Sequence, residues 1–149
     1  MMDEGRRKRF KVSEVADFCA ENDSRGICFG GWPKDILEIY INWHHQNGGL
    51  FVVEMDERVV GVGIAWRCCE HDLDRHWTAW NDEGDCFYIS DVVCSERRAI
   101  GTLVDGLSER FSGWRSLRLL AKRRGKIREF CPRFLDRLGK CGKDEKAVS

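Results

Sequence analysis

The chain has 149 residues, 42% of them hydrophobic and 34% charged, with 25 basic residues balancing 25 acidic ones, which sets the expectation of one domain, 1–149, around a single core. No apolar run approaches the roughly 20 residues that cross a bilayer, and the basic start "MMDEGRRKRFKV" has no apolar stretch behind it, so neither membrane association nor secretion is expected and the expected location is cytoplasmic. Eight cysteines (Cys19, Cys28, Cys68, Cys69, Cys86, Cys94, Cys131, Cys141) are scattered without a C-x-x-C pair, a pattern that suits reduced thiols, several of them small core hydrophobes.

In chain order, residues 1–10 are expected to be flexible. Val12, Val15, Phe18 and Cys19 then follow helical spacing, with Ser13 and Asp17 suited to an early turn. After "NDSRGICFGGW", Pro33 suits the first turn of a second helix, which carries Ile36, Leu37, Tyr40, Ile41 and His44 on one face. "NGG" at 47–49 stops it. Leu50–Met55 and Val59–Trp66 are β-rich runs around the turn "DER", an antiparallel hairpin. Gly61 and Gly63 inside its second strand imply a bulge or a neighbour that approaches the backbone closely. Cys86–Cys94 is a third strand, Ile100–Phe111 a helix, Leu117–Ala121 a short strand and Ile127–Leu138 a last helix. The tail, 140–149, is expected to fray. This order specifies an α/β domain with a mixed central sheet flanked by helices.

The net charge of zero conceals a polarised chain. Acids dominate from Glu54 to Asp91, whereas bases dominate from Arg97 to Lys143, an asymmetry that favours an anionic ligand. The strand-to-helix turn "SERRAIG" lies where the two regions meet. A helix start presents unpaired amides and about half a positive charge, so Arg97 and Arg98 there make it a candidate phosphate site. Lys122, Arg123, Arg124 and Lys126 in "AKRRGKIREF" are candidates for the same role. A basic face also suits nucleic acid, but no recognised nucleic-acid-binding motif accompanies it.

From "FVVEMDERVVGVGIAW" through "YISDVVCSE", "RRAIGTLVDGLSERF" and the closing "RLG", residues 50–139 resemble the GNAT-type N-acyltransferases. The resemblance implies an acyl-CoA cofactor such as acetyl-CoA, held by Val92, Val93, Cys94, Arg97, Arg98, Ala99, Ile100, Gly101, Thr102 and Arg123. It implies an amine acceptor on a small molecule or protein, with Asp91 as the catalytic or substrate-orienting carboxylate and Glu54 second. Backbone amides near Val93 and Cys94 would hold the thioester oxygen. The turn departs from the family pattern at Glu96 and Ala99. Phe134 and Leu135 stand where many members place an acidic Tyr, and the final β-hairpin of most members is not expected. "Trp32-Pro33", Asp91 and "KIREF" are also similar to the toxin-activating lysine acyltransferases, and the outline to small bacteriophage GNAT-like proteins, which would imply a host cytoplasm. The alternative is a catalytically inactive binding or virion-associated module that uses its basic C-terminal face.

Two further groups carry chemistry. "CCEHDLDRHW" places Cys68, Cys69, His71, Asp72, Asp74 and His76 close together, but adjacent cysteines rarely bind one ion and the spacing matches no familiar zinc module, so a polar loop and no metal is the expectation. His44 and His45 are read as packing residues, and Trp77 and Trp80 as aromatic cover for the core under that loop.

Overall fold

A computed structural model describes residues 10–23, 29, 31–73, 80–111, 113, 116–123, 126–131, 133 and 137. Helix α1, Val12–Asn22, buries Val15, Ala16, Phe18 and Cys19. Helix α2, Lys34–Gln46, begins directly after Pro33 and buries Leu37, Tyr40, Ile41 and His44. In both helices the buried positions recur three and four apart, the spacing that lines one face of an α-helix. Helix α2 ends at Asn47, followed by Gly48 at φ 81°, a left-handed conformation that glycine adopts without steric cost.

Strands β1 (Leu50–Met55) and β2 (Arg58–Cys68) pair antiparallel, with Met55 opposite Arg58. The turn is therefore the two residues Asp56 and Glu57, at φ 53° and 63°, the doubly left-handed arrangement that matches the twist of a tight hairpin. Strand β3 (Cys86–Cys94) is antiparallel to β2, and β4 (Arg118–Arg123) is parallel to β3. A parallel pair cannot close through a tight turn, and helix α3, Arg98–Arg110, occupies the crossover between them. The sheet order is β1-β2-β3-β4-β5.

The helix expected over Ile127–Leu138 is corrected. Residues Lys126–Phe130 form strand β5, antiparallel to β4 with Arg123 opposite Lys126. Helical backbone is found further on, at Arg133 and Arg137. Ile127 and Phe130 sit three apart, which imitates a helical stripe, yet both pack against the sheet core from the edge strand.

Two irregularities decide which face each residue serves. Between β1 and β2 the register runs from Val53 opposite Gly61 to Glu54 opposite Val59, so Val60 is an extra residue. Between β2 and β3 it runs from Ile64 opposite Asp91 to Ala65 opposite Ile89, so Ser90 is extra. A bulge of this kind reverses the alternation of side chains beyond it. Accordingly Cys86, Tyr88 and then Val93 pack with α1 and α2 in one core, together with Val62, Ile64, Trp66 and Leu37. Phe87 and Ile89 face α3, with Ala65, Val104, Leu107 and Leu119. Val53, Val60, Ala99 and Leu103 complete the α3 layer at its N-terminal end.

Both glycines singled out in β2 lie under α3. A Cβ on Gly61 would stand 2.9 Å from the Ala99 methyl, and one on Gly63 would meet Leu103 at 3.5 Å. The first is a close approach of helix to strand; the second is ordinary contact. Leu103 and Leu107, 3% and 2% exposed, anchor the helix there, each contributing roughly 1.5–3 kcal/mol.

Candidate functional site at the parting of the sheet

Strand β3 pairs with β4 only from Cys86 to Ile89, opposite Arg118 to Ala121. Residues Ser90–Cys94 continue β3 for five residues past that last pair, bonded to β2 on one side. The two strands are parallel, so the parting lies at the carboxyl ends of both, and in α/β sheets such a crevice is where ligands bind. Helix α3 starts at the same end, three residues after β3 stops.

Asp91 stands at the mouth of this parting. Because Ser90 is the extra residue of the bulge, Asp91 is turned to the α2 side of the sheet, where it is 8% exposed. Two hydroxyls converge on one of its oxygens: Tyr40 Oη donates to Oδ2 at 2.5 Å and Ser90 Oγ at 2.7 Å. The two hydroxyl oxygens lie 3.2 Å apart, and Ser90 Oγ is 3.3 Å from the carbonyl of Ile64. Burial raises the Asp91 carboxyl above its ordinary value, and the two hydroxyls and the charge of Lys122 oppose that rise without cancelling it. Burial, followed by the Asp91 charge, raises the Tyr40 phenol well above its usual value, which keeps Tyr40 a hydrogen-bond donor. The result is a carboxyl with a heightened proton affinity, fixed in orientation.

Helical spacing marks Tyr40 only as one apolar position of α2, and no sequence pattern marks Ser90. The helical spacing of Tyr40 is correct, but its aromatic body and its hydroxyl serve different ends. The ring packs edge-on against Trp32, Phe29 and His44, at 5.1, 6.0 and 4.6 Å, while the hydroxyl reaches the sheet. His44 is fully buried and lies near-parallel to Trp66 and Trp80, at 4.9 and 5.8 Å; burial pushes its imidazole down to about 3. It is a neutral packing residue, as expected. His45 meets the ring of Phe10 at 5.3 Å. Trp80 covers the core as expected, and Trp77 lies outside the described residues.

The other candidates divide by environment. Val92 is 47% exposed and Val93 is buried, so successive residues past the bulge face opposite sides. Cys94 packs beside Val53, Val60 and Leu103, and burial pushes its thiol up to about 11. At the helix start Arg97, Arg98 and Thr102 are exposed, Ile100 is half-buried and Gly101 is buried. Arg97 occupies the N-cap position, where no side chain caps the helix. Glu96 lies 3.4 Å from Arg98, which ties up part of the positive charge at this end. Ala99 is fully buried on β2, which accounts for an alanine at that place: its methyl fills the space above Gly61 and points away from any ligand at the helix start. Glu54 is half-buried on β1, opposite Val59. Lys122 and Lys126 are exposed on the hairpin beside the parting, and Arg123 is the last residue of β4. Arg124, Phe134 and Leu135 lie outside the described residues.

No protein-family model and no curated protein matches the sequence. Among solved structures, the chain is similar to the loading GNATL domain of CurA from Lyngbya majuscula, with a TM-score of 0.49 and 16% sequence identity over 75% of this chain and 61% of that one. The chain thus spans less than two thirds of that domain's length.

Proposed function

We propose that the parting between β3 and β4 is an acyl-CoA cleft, and that the protein is a divergent GNAT-like acyltransferase that passes an acyl group from the thioester to an amine. The observation that carries this reading is the five-residue run of β3, Ser90–Cys94, beyond the last pair with β4. Backbone groups along that edge are suited to bond an extended amide chain as an added strand does. The start of α3, with Arg97, Arg98 and Gly101, would hold phosphates on its amides, and Lys122 and Arg123 would add charge from β4. Amides of Val93 and Cys94 would hold the thioester oxygen. Asp91, with its raised proton affinity and fixed by Tyr40 and Ser90, would orient or deprotonate the amine.

A second reading has its own observation. Asp91 is 8% exposed and already bonded to two hydroxyls, and Glu96 faces Arg98, features that favour a non-catalytic binding module that uses the basic face. Thermal shift with acetyl-CoA and longer acyl-CoAs tests the cleft. Ligand at 100 times its Kd stabilises by about 2.7 kcal/mol, several degrees for a chain of this size. No shift at millimolar acyl-CoA refutes both the cofactor and the reaction. A shift with no acyl transfer to a panel of amines selects the second reading. If transfer occurs, Asp91→Asn should abolish turnover while the thermal shift persists.

A further inference from the structure

The β2–β3 connection contains a cluster that neither reading uses. Cys69, His71 and Asp72 each bring one ligand atom into a group whose members all lie within 4.8 Å of one another. We propose that this turn is a metal-binding site for a zinc-class divalent ion, with Cys69 Sγ, a ring nitrogen of His71 and a carboxylate oxygen of Asp72 as ligands and water completing the coordination.

The geometry is close to what such an ion requires. Tetrahedral zinc with N and O ligands at about 2.0–2.1 Å separates those atoms by about 3.3 Å, and His71 Nε2 stands 3.4 Å from Asp72 Oδ1. A thiolate at about 2.3 Å would lie about 3.6 Å from either, so bringing in Cys69 Sγ from within 4.8 Å takes at most about 1.2 Å of side-chain movement. The backbone already folds the three positions together. Residues Glu70–Asp72 form a 3-10 turn in which the Asp72 amide donates to the Cys69 carbonyl at 3.0 Å. A C-x-H-D run matches no zinc module in extended chain, but one turn of 3-10 helix gathers positions i, i+2 and i+3.

The turn is also held from outside the cluster. Asn81 Nδ2 donates to Cys69 Sγ at 3.2 Å, an outer bond of the kind that stabilises a metal-bound thiolate. Arg118 grips Glu70 with two bonds, at 2.6 and 3.1 Å, and is itself braced by Glu129 at 2.8 Å, so the residue between two of the ligands is pinned to β4 and β5. Cys68, the adjacent cysteine, is excluded from the site. It points into the core at 1% exposure, which leaves Cys69 as the sulfur donor. Its expected companions Asp74 and His76 lie outside the described residues. Binding converts the Cys69 thiol to thiolate and releases its proton to solvent, with no redox step.

The test is titration of the full chain, without a histidine tag, with cobalt(II) and competition by zinc(II). One equivalent of cobalt should produce a thiolate-to-cobalt charge-transfer band that zinc abolishes. Cys69→Ser should remove the band, and His71→Ala, at a side chain 72% exposed and so safe for folding, should weaken zinc binding at least about 10-fold, the loss that even an outer-shell partner carries. Cys131→Ser, at an exposed thiol outside the cluster, should leave both unchanged. Absence of the band at millimolar cobalt, or a band that survives both Cys69→Ser and His71→Ala, overturns the proposal.

Discussion

The contact between Gly61 and Ala99 makes a sharp prediction. Building a methyl on Gly61 sets it 2.9 Å from the Ala99 methyl, whereas carbon atoms in contact prefer about 3.5–4.0 Å. Gly61→Ala therefore forces α3 off β2 by about 0.6 Å or more at its first turn. Overpacking of this kind costs about 1–3 kcal/mol, and loss of glycine freedom in the unfolded chain returns about 0.4–1 kcal/mol. The net loss of about 1–2 kcal/mol should lower the urea midpoint with no change in slope and lower Tm by about 3–8 °C. Gly63→Ala is the internal comparison: its nearest neighbour would stand at 3.5 Å, so it should match or slightly exceed the native stability. The decisive variant is Gly61→Ala combined with Ala99→Gly, which removes the offending methyl. That double variant should be more stable than the sum of the two single losses by about 1 kcal/mol or more. Additivity within about 0.5 kcal/mol, or equal stability of Gly61→Ala and Gly63→Ala, would show that the helix does not rest on Gly61.

Three other outcomes follow from individual side chains. Asp91 holds its proton more tightly folded than unfolded, so the folded state carries more protons above the ordinary value of 3.8 and stability should fall as pH rises through that window, then level off. Asp91→Asn should remove this slope, and Tyr40→Phe should move the window to higher pH. Urea midpoints at a series of pH values will read both, and persistence of the slope in Asp91→Asn would contradict the assignment. His44 is depressed from 6.5 to about 3, so its contribution is present above pH 6.5 and is lost towards pH 3 at up to about 1.4 kcal/mol per pH unit; His44→Phe should flatten that acid limb. Glu57 holds φ 63°, a conformation that costs a side-chain-bearing residue about 1–2 kcal/mol, so Glu57→Gly should raise Tm, with a net gain of up to about 1 kcal/mol after the entropy of glycine.

Much of the architecture was legible because it rests on local periodicity. Leu37, Tyr40 and Ile41 announce a buried helix face, and the β-rich runs around Asp56 and Glu57 announce a hairpin. Strand β5 was not legible by the same rule. It is an edge strand, so only Ile127 and Phe130 pack inward while Lys126, Arg128 and Glu129 face solvent, and their spacing of three imitates a helix. A signal was present in the sequence at Gly125, a residue type that favours a turn and weakens a helical reading. The site was half legible. Asp91 could be picked out as a carboxyl within a β-rich strand. Its partners could not, because the bulge at Ser90 decides which face Asp91 takes and strict alternation would have turned it towards α3.

That bulge makes β3 a strand written in two frames. Upstream of Ser90, even-numbered residues look to α1 and α2; downstream, odd-numbered ones do. Deleting the single residue at 90 would remove the bulge and restore plain alternation, with Tyr88, Asp91 and Val93 still turned towards α2. What such a deletion takes away is the hydroxyl that Ser90 donates to Asp91. An insertion that shifted the frame would instead carry Val92 towards the α2 core and turn Asp91 and Val93 towards α3. Natural variation here should therefore tolerate loss of the bulge residue better than a frame-shifting insertion.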